Sequence, residues 1–342
     1  AVMTAHIALP EISEASNLPA TLSRNVLTGL LREDMGFDGL IVTDALDMNA
    51  IDRLFSREEA AVRAVEAGAD ILLMPPSPDA AIRGVMNAVL SGRIPESRID
   101  ESVMRILRAK AEVGLHEARL VELEAVHRRV GLTEHTDVAR EIAERSLTLL
   151  RNERNLLPLL GTRTADVLSI TYRRTNDLMA GRGFNAQLRG TYPRVEAVSV
   201  GAETSAEQYG RLLARAGGTD LVIISLYITA VSYAGSVAAP DELIDFIDGV
   251  RRSGRPHVVI SFGNPYLLGE FPEVQAYLLA WSGAEVSQRA AARALVGAIP
   301  LSGQTPTSIP PVAGIGAGMG TGSVAAGGGQ RAPNPGREEC GR

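Results

Sequence analysis

An α/β protein built on parallel strands, in two successive parts, is what this sequence predicts. Over roughly the first 115 residues, short apolar runs recur ahead of amphipathic stretches, which is the signature of parallel βαβ units. From about residue 166 a second series of buried-type strands alternates with helices. At 342 residues the chain exceeds one average domain, so two compact units plus a tail fit its length.

In the first part the expected strands are Val2 to Ile7, Gly39 to Thr43 and Asp70 to Met74. Helical periodicity follows each, in Leu22 to Arg32, Arg57 to Ala67 and Pro78 to Leu90. A further helix over Asp100 to Glu112 closes the set, because Asp100 and Glu101 place acidic groups where a helix dipole is positive. Residues 1–115 make the first unit, and residues 116–160 read as a charged, mostly helical connector ending in Ser146 to Asn152 and a turn around Pro158. Strands at Asp166 to Thr171, Val195 to Val200, Leu221 to Leu226, His257 to Phe262 and Ala276 to Trp281 then alternate with helices near 204–215, 240–252 and 285–296. Residues 161–311 therefore read as an open α/β sandwich. From 312 to 342 the composition turns to glycine, alanine and proline, without the periodic apolar residues that offset the entropy of ordering, so a disordered tail is expected. Gly316, Gly318 and Gly320 have no strand before them and no helix after, so their spacing reads as low complexity and not as a dinucleotide loop.

Composition narrows the function. With 45% hydrophobic and 22% charged residues and a net charge of -6, the chain is neither disordered nor polycationic, and nucleic acid is not an expected partner. Arginine and glutamate alternate along the helices as solvated faces. Cys340 is the single cysteine, so neither a disulfide framework nor a cysteine metal site is available. No apolar run approaches the ~20 residues of a membrane helix, and the opening Ala1-Val2-Met3-Thr4-Ala5 reads as the middle of a strand and not as a signal peptide. No histidine pair has metal-ligand spacing, and no glycine-rich phosphate loop joins a strand to a helix, which argues against a nucleotide-binding α/β protein. No cofactor and no metal are expected.

The most informative segment runs from Leu30 to Met48. A helix ends at Gly36, a buried strand follows, and a carboxylate, Asp44, stands at the strand's end. Alternation along the strand puts Leu40, Val42 and Asp44 on one face, and the carboxyl ends of parallel strands are where α/β proteins place catalytic groups. Helix capping is the competing explanation for an aspartate after a strand, and it fits Asp47 better.

The stretch Leu30 to Asp47 resembles, position by position, the active-site signature of family 3 glycoside hydrolases. In that signature two aliphatics and a basic residue, here Leu30, Leu31 and Arg32, lead to Gly39, three apolar residues, Thr43 and the nucleophilic aspartate, Asp44. Val2-Met3-Thr4-Ala5-His6-Ile7 with Pro19-Ala20-Thr21-Leu22-Ser23 looks like the sixth barrel strand and its loop in the β-N-acetylhexosaminidase branch. Ala67 to Met74, Ser91 to Pro95 and Lys110 to Leu115 are similar to the eighth strand and the closing helices, and Ser146 to Asn152, Phe262 to Tyr266 and Gly297 to Pro310 to the second domain. The resemblance covers about residues 1–311. It implies the last three βα units of a (β/α)8 TIM-type barrel followed by an α/β/α sandwich domain.

The resemblance implies a retaining hydrolase that removes terminal β-linked N-acetylhexosamine from glycans such as peptidoglycan fragments, through a covalent glycosyl-enzyme on Asp44. His6, at the end of the preceding strand, is the expected substrate-binding residue, donating to Asp44 or to a sugar hydroxyl. His116, His127 and His135 fall in the connector and read as surface residues, and His257 as structural. In the hexosaminidase branch the acid/base is a histidine paired with an aspartate on a loop ahead of the sixth strand, which this chain lacks. In the β-glucosidase branch it is a glutamate of the second domain, for which Glu242, Glu270 and Glu285 come into question, Glu285 first by its local pattern. Three barrel units leave a sheet edge exposed, so the chain alone is expected to be inactive or barely active, with the remaining barrel segment supplied by the full-length protein. The alternatives are a β-glucosidase of the same family and a noncatalytic sugar-binding or interaction module derived from it. A bacterial source is implied, in the cell envelope, the periplasm or the cytoplasm.

Overall fold

The computed structural model describes residues 1–160, 164–229 and 238–322. The chain divides into two compact units, the first Ala1–Val126 and the second from His127 onward.

In the first unit β1 (Val2–Met3) and β2 (Ile41–Val42) pair in parallel, Val2 with Ile41 and Met3 with Val42. Val42 makes a further parallel bridge to Ile71, so the three expected strands lie side by side. All three are shorter than expected, because side chains and loop contacts take over the ladder at once. Leu73 donates its N–H to Thr43 Oγ1 at 2.9 Å, Leu46 donates to the Leu73 carbonyl at 3.0 Å, and Met74 turns into the left-handed region at φ 46°. The expected helix Leu22 to Arg32 is instead a 3₁₀ turn at Ala20–Leu22 and a wide helix over Asn25–Asp34, in which Met35 reaches back five residues to the Leu30 carbonyl.

The single turn α1 (Asn49–Asp52) follows β2. Asp47, expected to cap it, is exposed, and the turn begins after Met48 with no side-chain cap. Next come α2 (Arg57–Ala67), capped by Ser56 through Glu59 N–H, and α3 (Pro78–Leu90), capped by Ser77 with proline at its first position. Helix α4 (Glu96–Glu112) starts a turn earlier than expected, after Pro95. Asp100 and Glu101 therefore sit in its second turn, and Glu96 takes the favourable end of the dipole. The one-turn α5 (Leu123–Val126) ends the unit. Alanines of α2 pack with Leu22, Leu27, Ile41, Leu46 and Ile51 in the core. Helix α3 lies so close to α2 that a Cβ at Gly84 would meet the Glu58 backbone at 3.0 Å.

The second unit holds α6 (Thr133–Ser146), β3 (Thr148–Asn152), β4 (Val167–Tyr172), α7 (Arg182–Arg189), β5 (Val195–Val200), α8 (Ala206–Ala216), β6 (Leu221–Leu226), α9 (Asp241–Arg252), β7 (His257–Ser261), β8 (Ala276–Leu279) and α10 (Glu285–Leu295). The sheet runs in the order β3-β8-β7-β6-β4-β5, parallel throughout except for β3, which is antiparallel to β8. Alternation along each strand feeds two cores. Val167, Ile223, Val258 and Leu278 face α6, α7 and α10, whereas Leu168, Ile224, Val259 and Leu279 face α8 and α9. Both faces of the sheet are thus covered, which is why its central strands are buried along their whole length and mostly apolar.

Two expectations need correction here, and one helix was not foreseen. The end of the connector is a strand: Thr148–Asn152 pairs with β8 and belongs to the second unit's sheet. Helix α7 had no sequence signal, since only Phe184 and Leu188 of its eight residues are large and apolar. The tail does not begin at 312, because Met319 donates to the Leu149 carbonyl at 2.8 Å and Thr321 to that of Leu301 at 3.0 Å. Residues 323–342, Cys340 among them, lie outside the described residues.

Candidate active site

Asp44 stands two residues past the last residue of β2, at the strand's carboxyl end, and is partly exposed. Its neighbour Thr43 is fully buried, which anchors the chain just before the carboxylate. Asp44 Oδ1 accepts the Ala45 N–H at 2.8 Å, so the carboxylate is oriented by its own following peptide.

His6 leaves β1 beside it. The imidazole Nε2 lies 2.9 Å from the Ala45 carbonyl oxygen and Nδ1 lies 2.9 Å from Thr21 Oγ1. The structure therefore brings His6 to the Ala45 carbonyl, one residue past Asp44, and not to the Asp44 carboxylate. A sugar hydroxyl would have to displace one of these two partners to bond the ring. Thr21, fully buried in the Ala20–Leu22 turn, also lies 2.8 Å from Thr4 Oγ1, and Thr4 Oγ1 accepts the Asp44 N–H at 3.4 Å. Neither threonine stood out in the sequence. The available signal was the spacing Thr4-Ala5-His6, which in an extended segment puts both side chains on one side.

The opposite end of the same strand carries a second charged cluster. The Asp70 side chain is completely buried and accepts the Ile41 N–H at 2.9 Å, Arg32 at 2.5 Å and the Ser102 hydroxyl at 2.6 Å. Arg105 and Arg98 stand 3.5 and 3.8 Å away. Burial among other cations pushes the Arg32 and Arg98 guanidinium pKa values down despite the Asp70 charge. Arg32 also donates to the Phe37 and Gly39 carbonyls. The basic position of the signature is thus structural in this chain, fixing the entry to β2 while Asp44 marks its exit. A cavity of about 750 Å³ opens beside this cluster, lined in part by Arg32, Glu66, Arg93, Arg98 and Arg105. It does not include Asp44, and its paired charges give no reason to place the chemistry there.

Glu242, Glu270 and Glu285 all belong to the second unit. Glu285 is exposed at the first turn of α10 and pairs with Arg289 one turn on, at 2.6 Å. Glu270 accepts the Ala239 N–H at 2.9 Å, and burial raises its pKa. Glu242 sits exposed in the first turn of α9. His257 is buried between the Arg255 carbonyl, 2.8 Å from Nδ1, and the Gln275 N–H, 3.0 Å from Nε2, in a structural role. Among the described residues, no group of His, Cys, Asp or Glu side chains is arranged to hold a metal ion. No helix among them is long and apolar enough to cross a membrane.

Comparison with known proteins fixes the context of Asp44. Residues 1–109 match the glycosyl hydrolase family 3 N terminal domain, and residues 147–325 match the glycosyl hydrolase family 3 C-terminal domain. The chain belongs to glycoside hydrolase family 3. Among its family 3 relatives, a β-N-acetylglucosaminidase/β-glucosidase of Cellulomonas fimi is 27% identical over 326 residues, covering 89% of this chain and 57% of that protein. The solved structure of a family 3 β-N-acetylglucosaminidase from Paenibacillus sp. str. FPU-7 superposes with a TM-score of 0.73 at 30% identity, over 91% of this chain and 58% of that one. A β-glucosidase from Listeria innocua in complex with isofagomine gives 0.70 at 25% identity, over 86% and 44%. The chain thus spans about half the length of the family 3 proteins it matches.

Proposed function

We propose that the protein is a retaining glycoside hydrolase in which Asp44 is the nucleophile. The observation that carries this reading is the position of Asp44, a partly exposed carboxylate at the carboxyl end of a parallel strand in a family 3 chain. In the first step an Asp44 oxygen attacks the anomeric carbon, the bond to the leaving oxygen breaks, and that oxygen takes a proton from the acid/base. Water then cleaves the glycosyl ester and restores the carboxylate. The three parallel strand segments of the first unit serve as the last part of a (β/α)8 barrel, with Asp44 at its catalytic mouth. His6 lines the same rim. With both ring nitrogens held within the protein, it offers a sugar its carbon edge.

The substrate in this reading is a terminal β-linked N-acetylhexosamine, as in peptidoglycan fragments. Relatives named for N-acetylglucosaminidase activity support it, and those named β-glucosidase support the second reading, a plain β-glucoside. Of the three glutamates considered, Glu285 pairs with Arg289, Glu270 holds the Ala239 N–H, and Glu242 stands in the first turn of α9 where the helix dipole favours an acid, which favours the first.

The test is covalent trapping. The full-length natural protein, incubated with a mechanism-based fluoroglycoside and digested, should yield a glycosylated peptide carrying the sugar on Asp44. A label on another carboxylate, or none under conditions that trap a known retaining enzyme, overturns the assignment and leaves the noncatalytic module. Parallel rates on aryl N-acetylglucosaminide and aryl glucoside decide between the two substrates.

A further inference from the structure

The hydrogen bonds around Asp44 form a circuit that begins and ends on one dipeptide. The Ala45 carbonyl oxygen can only accept, so His6 Nε2, 2.9 Å away, carries the proton. In the neutral ring Nδ1 then accepts, and the group 2.9 Å from it is the Thr21 hydroxyl, which donates. Having given its proton to His6, Thr21 Oγ1 accepts from Thr4 at 2.8 Å, and Thr4 Oγ1 accepts the Asp44 N–H at 3.4 Å. Every hydroxyl proton is used once and every link runs the same way. Both outward-facing groups of the Asp44–Ala45 segment, the Asp44 N–H and the Ala45 carbonyl, are thereby held. The Ala45 N–H in between holds Asp44 Oδ1 at 2.8 Å.

We propose that Thr4, Thr21 and His6 act as positioning residues for the nucleophile: by clamping the Asp44–Ala45 segment at its two ends, the Asp44 N–H and the Ala45 carbonyl, they set the direction in which the Asp44 carboxylate meets the anomeric carbon. The inference rests on the glycosidase reading of Asp44 and adds residues that the signature around Asp44 does not contain. Three separate segments converge to make the clamp. The exit of β1 supplies Thr4 and His6, tied to β2 by Thr4 N–H to the Val42 carbonyl at 2.9 Å. The Ala20–Leu22 turn supplies Thr21 and is tied to the first segment by Ala20 N–H to the Ile7 carbonyl at 2.8 Å. The exit of β2 supplies Asp44. Thr21 is fully buried, so water cannot substitute for its hydroxyl without a rearrangement of the turn. A carboxylate on a short loop after a two-residue strand has few other restraints, and in nucleophilic catalysis a misplacement of about 1 Å is enough to cost on the order of 100-fold.

The experiment compares the full-length natural protein with its Thr21→Val and Thr21→Ser variants, reading kcat, KM and the rate of fluoroglycoside labelling at Asp44. Thr21→Val breaks the circuit with nearly the same shape. It should lower kcat and the labelling rate together, by about 10- to 100-fold, with KM nearly unchanged. Thr21→Ser keeps the hydroxyl and should restore most of the rate. If Thr21→Val does not fold, Thr4→Val breaks the same circuit one link further on and should give the same split. Labelling of Thr21→Val at the wild-type rate, a loss that appears only in KM, or no rescue by serine overturns the clamp while the glycosidase reading stands. Absence of labelling in the wild-type protein overturns that reading, and the clamp with it. A readout free of variants is the ¹⁵N spectrum of His6 at alkaline pH, which should show the ring protonated on Nε2; the Nδ1 tautomer overturns the circuit.

Discussion

Asp70 Oδ2 accepts the backbone N–H of Ile41 at 2.9 Å, at the start of the strand that delivers Asp44. The same carboxylate is the shared counter-charge of Arg32, Arg98 and Arg105. A buried acid that holds both a strand's first amide and three guanidiniums is a structural fixture, and removing it leaves cations stranded.

Asp70→Asn keeps the shape and removes the charge. Breaking a buried ion pair from one side costs about 3–5 kcal/mol, so urea denaturation of this variant should show a loss of that order in the first unit. A loss below about 1 kcal/mol would mean that the arginines find other partners or water, contrary to the geometry.

Glu59 gives a pH dependence with a definite sign. Hydrogen bonds from Arg93, together with Arg63, outweigh desolvation and hold its carboxyl at about 2, against an ordinary 4.5. Because the folded value is depressed, the stabilisation is fully present above 4.5 and is lost as the pH falls from 4.5 toward about 2. The side chain is close to one third exposed, so screening limits the effect to about 1 kcal/mol. Glu59→Gln should therefore melt below the wild type at neutral pH, and the gap should narrow as the buffer is taken below 4.5. A gap that is constant with pH would rule out the ion-pair origin.

Glu285 should be dispensable for turnover. Its carboxylate is exposed and engaged by Arg289 in the first turn of α10, which accounts for its presence without chemistry. In the full-length natural protein Glu285→Gln is expected to change kcat by less than about twofold, whereas Asp44→Asn should lose on the order of 10⁴-fold or more. Steady-state kinetics on an aryl glycoside checks both. A loss for Glu285→Gln as large as that for Asp44→Asn would place the acid/base in the second unit.

Much of the second unit was legible in the chain. Leu221–Leu226 begins and ends where its apolar run does, because a strand covered on both faces is mostly apolar, and the edge strand Val195–Val200 keeps the expected bounds with Glu196 and Ser199 between its valines. Where the covering element is less apolar the signal fails, as in α7, and where the partner is remote it misleads, as in β3, which became a strand only by pairing with β8, more than a hundred residues later. In the first unit the order of strands and helices was readable. Their lengths were not, since Thr43, Asp70 and Arg32 replace ladder and cap partners with side chains whose targets lie far off in sequence.

By itself the sequence singled out one carboxylate as the candidate nucleophile. Local pattern puts Asp44 at the end of a buried strand, and the residues from Leu30 onward carry the family signature. Only the tertiary structure decided what surrounds it. It turned His6 from the Asp44 carboxylate to the Ala45 carbonyl, brought Thr21 against Thr4, and set Asp70 beneath Ile41. The physical reason is reach. Strand and helix periods are short-range properties of the backbone, whereas a hydrogen bond about 3 Å long depends on where three separated segments come to rest.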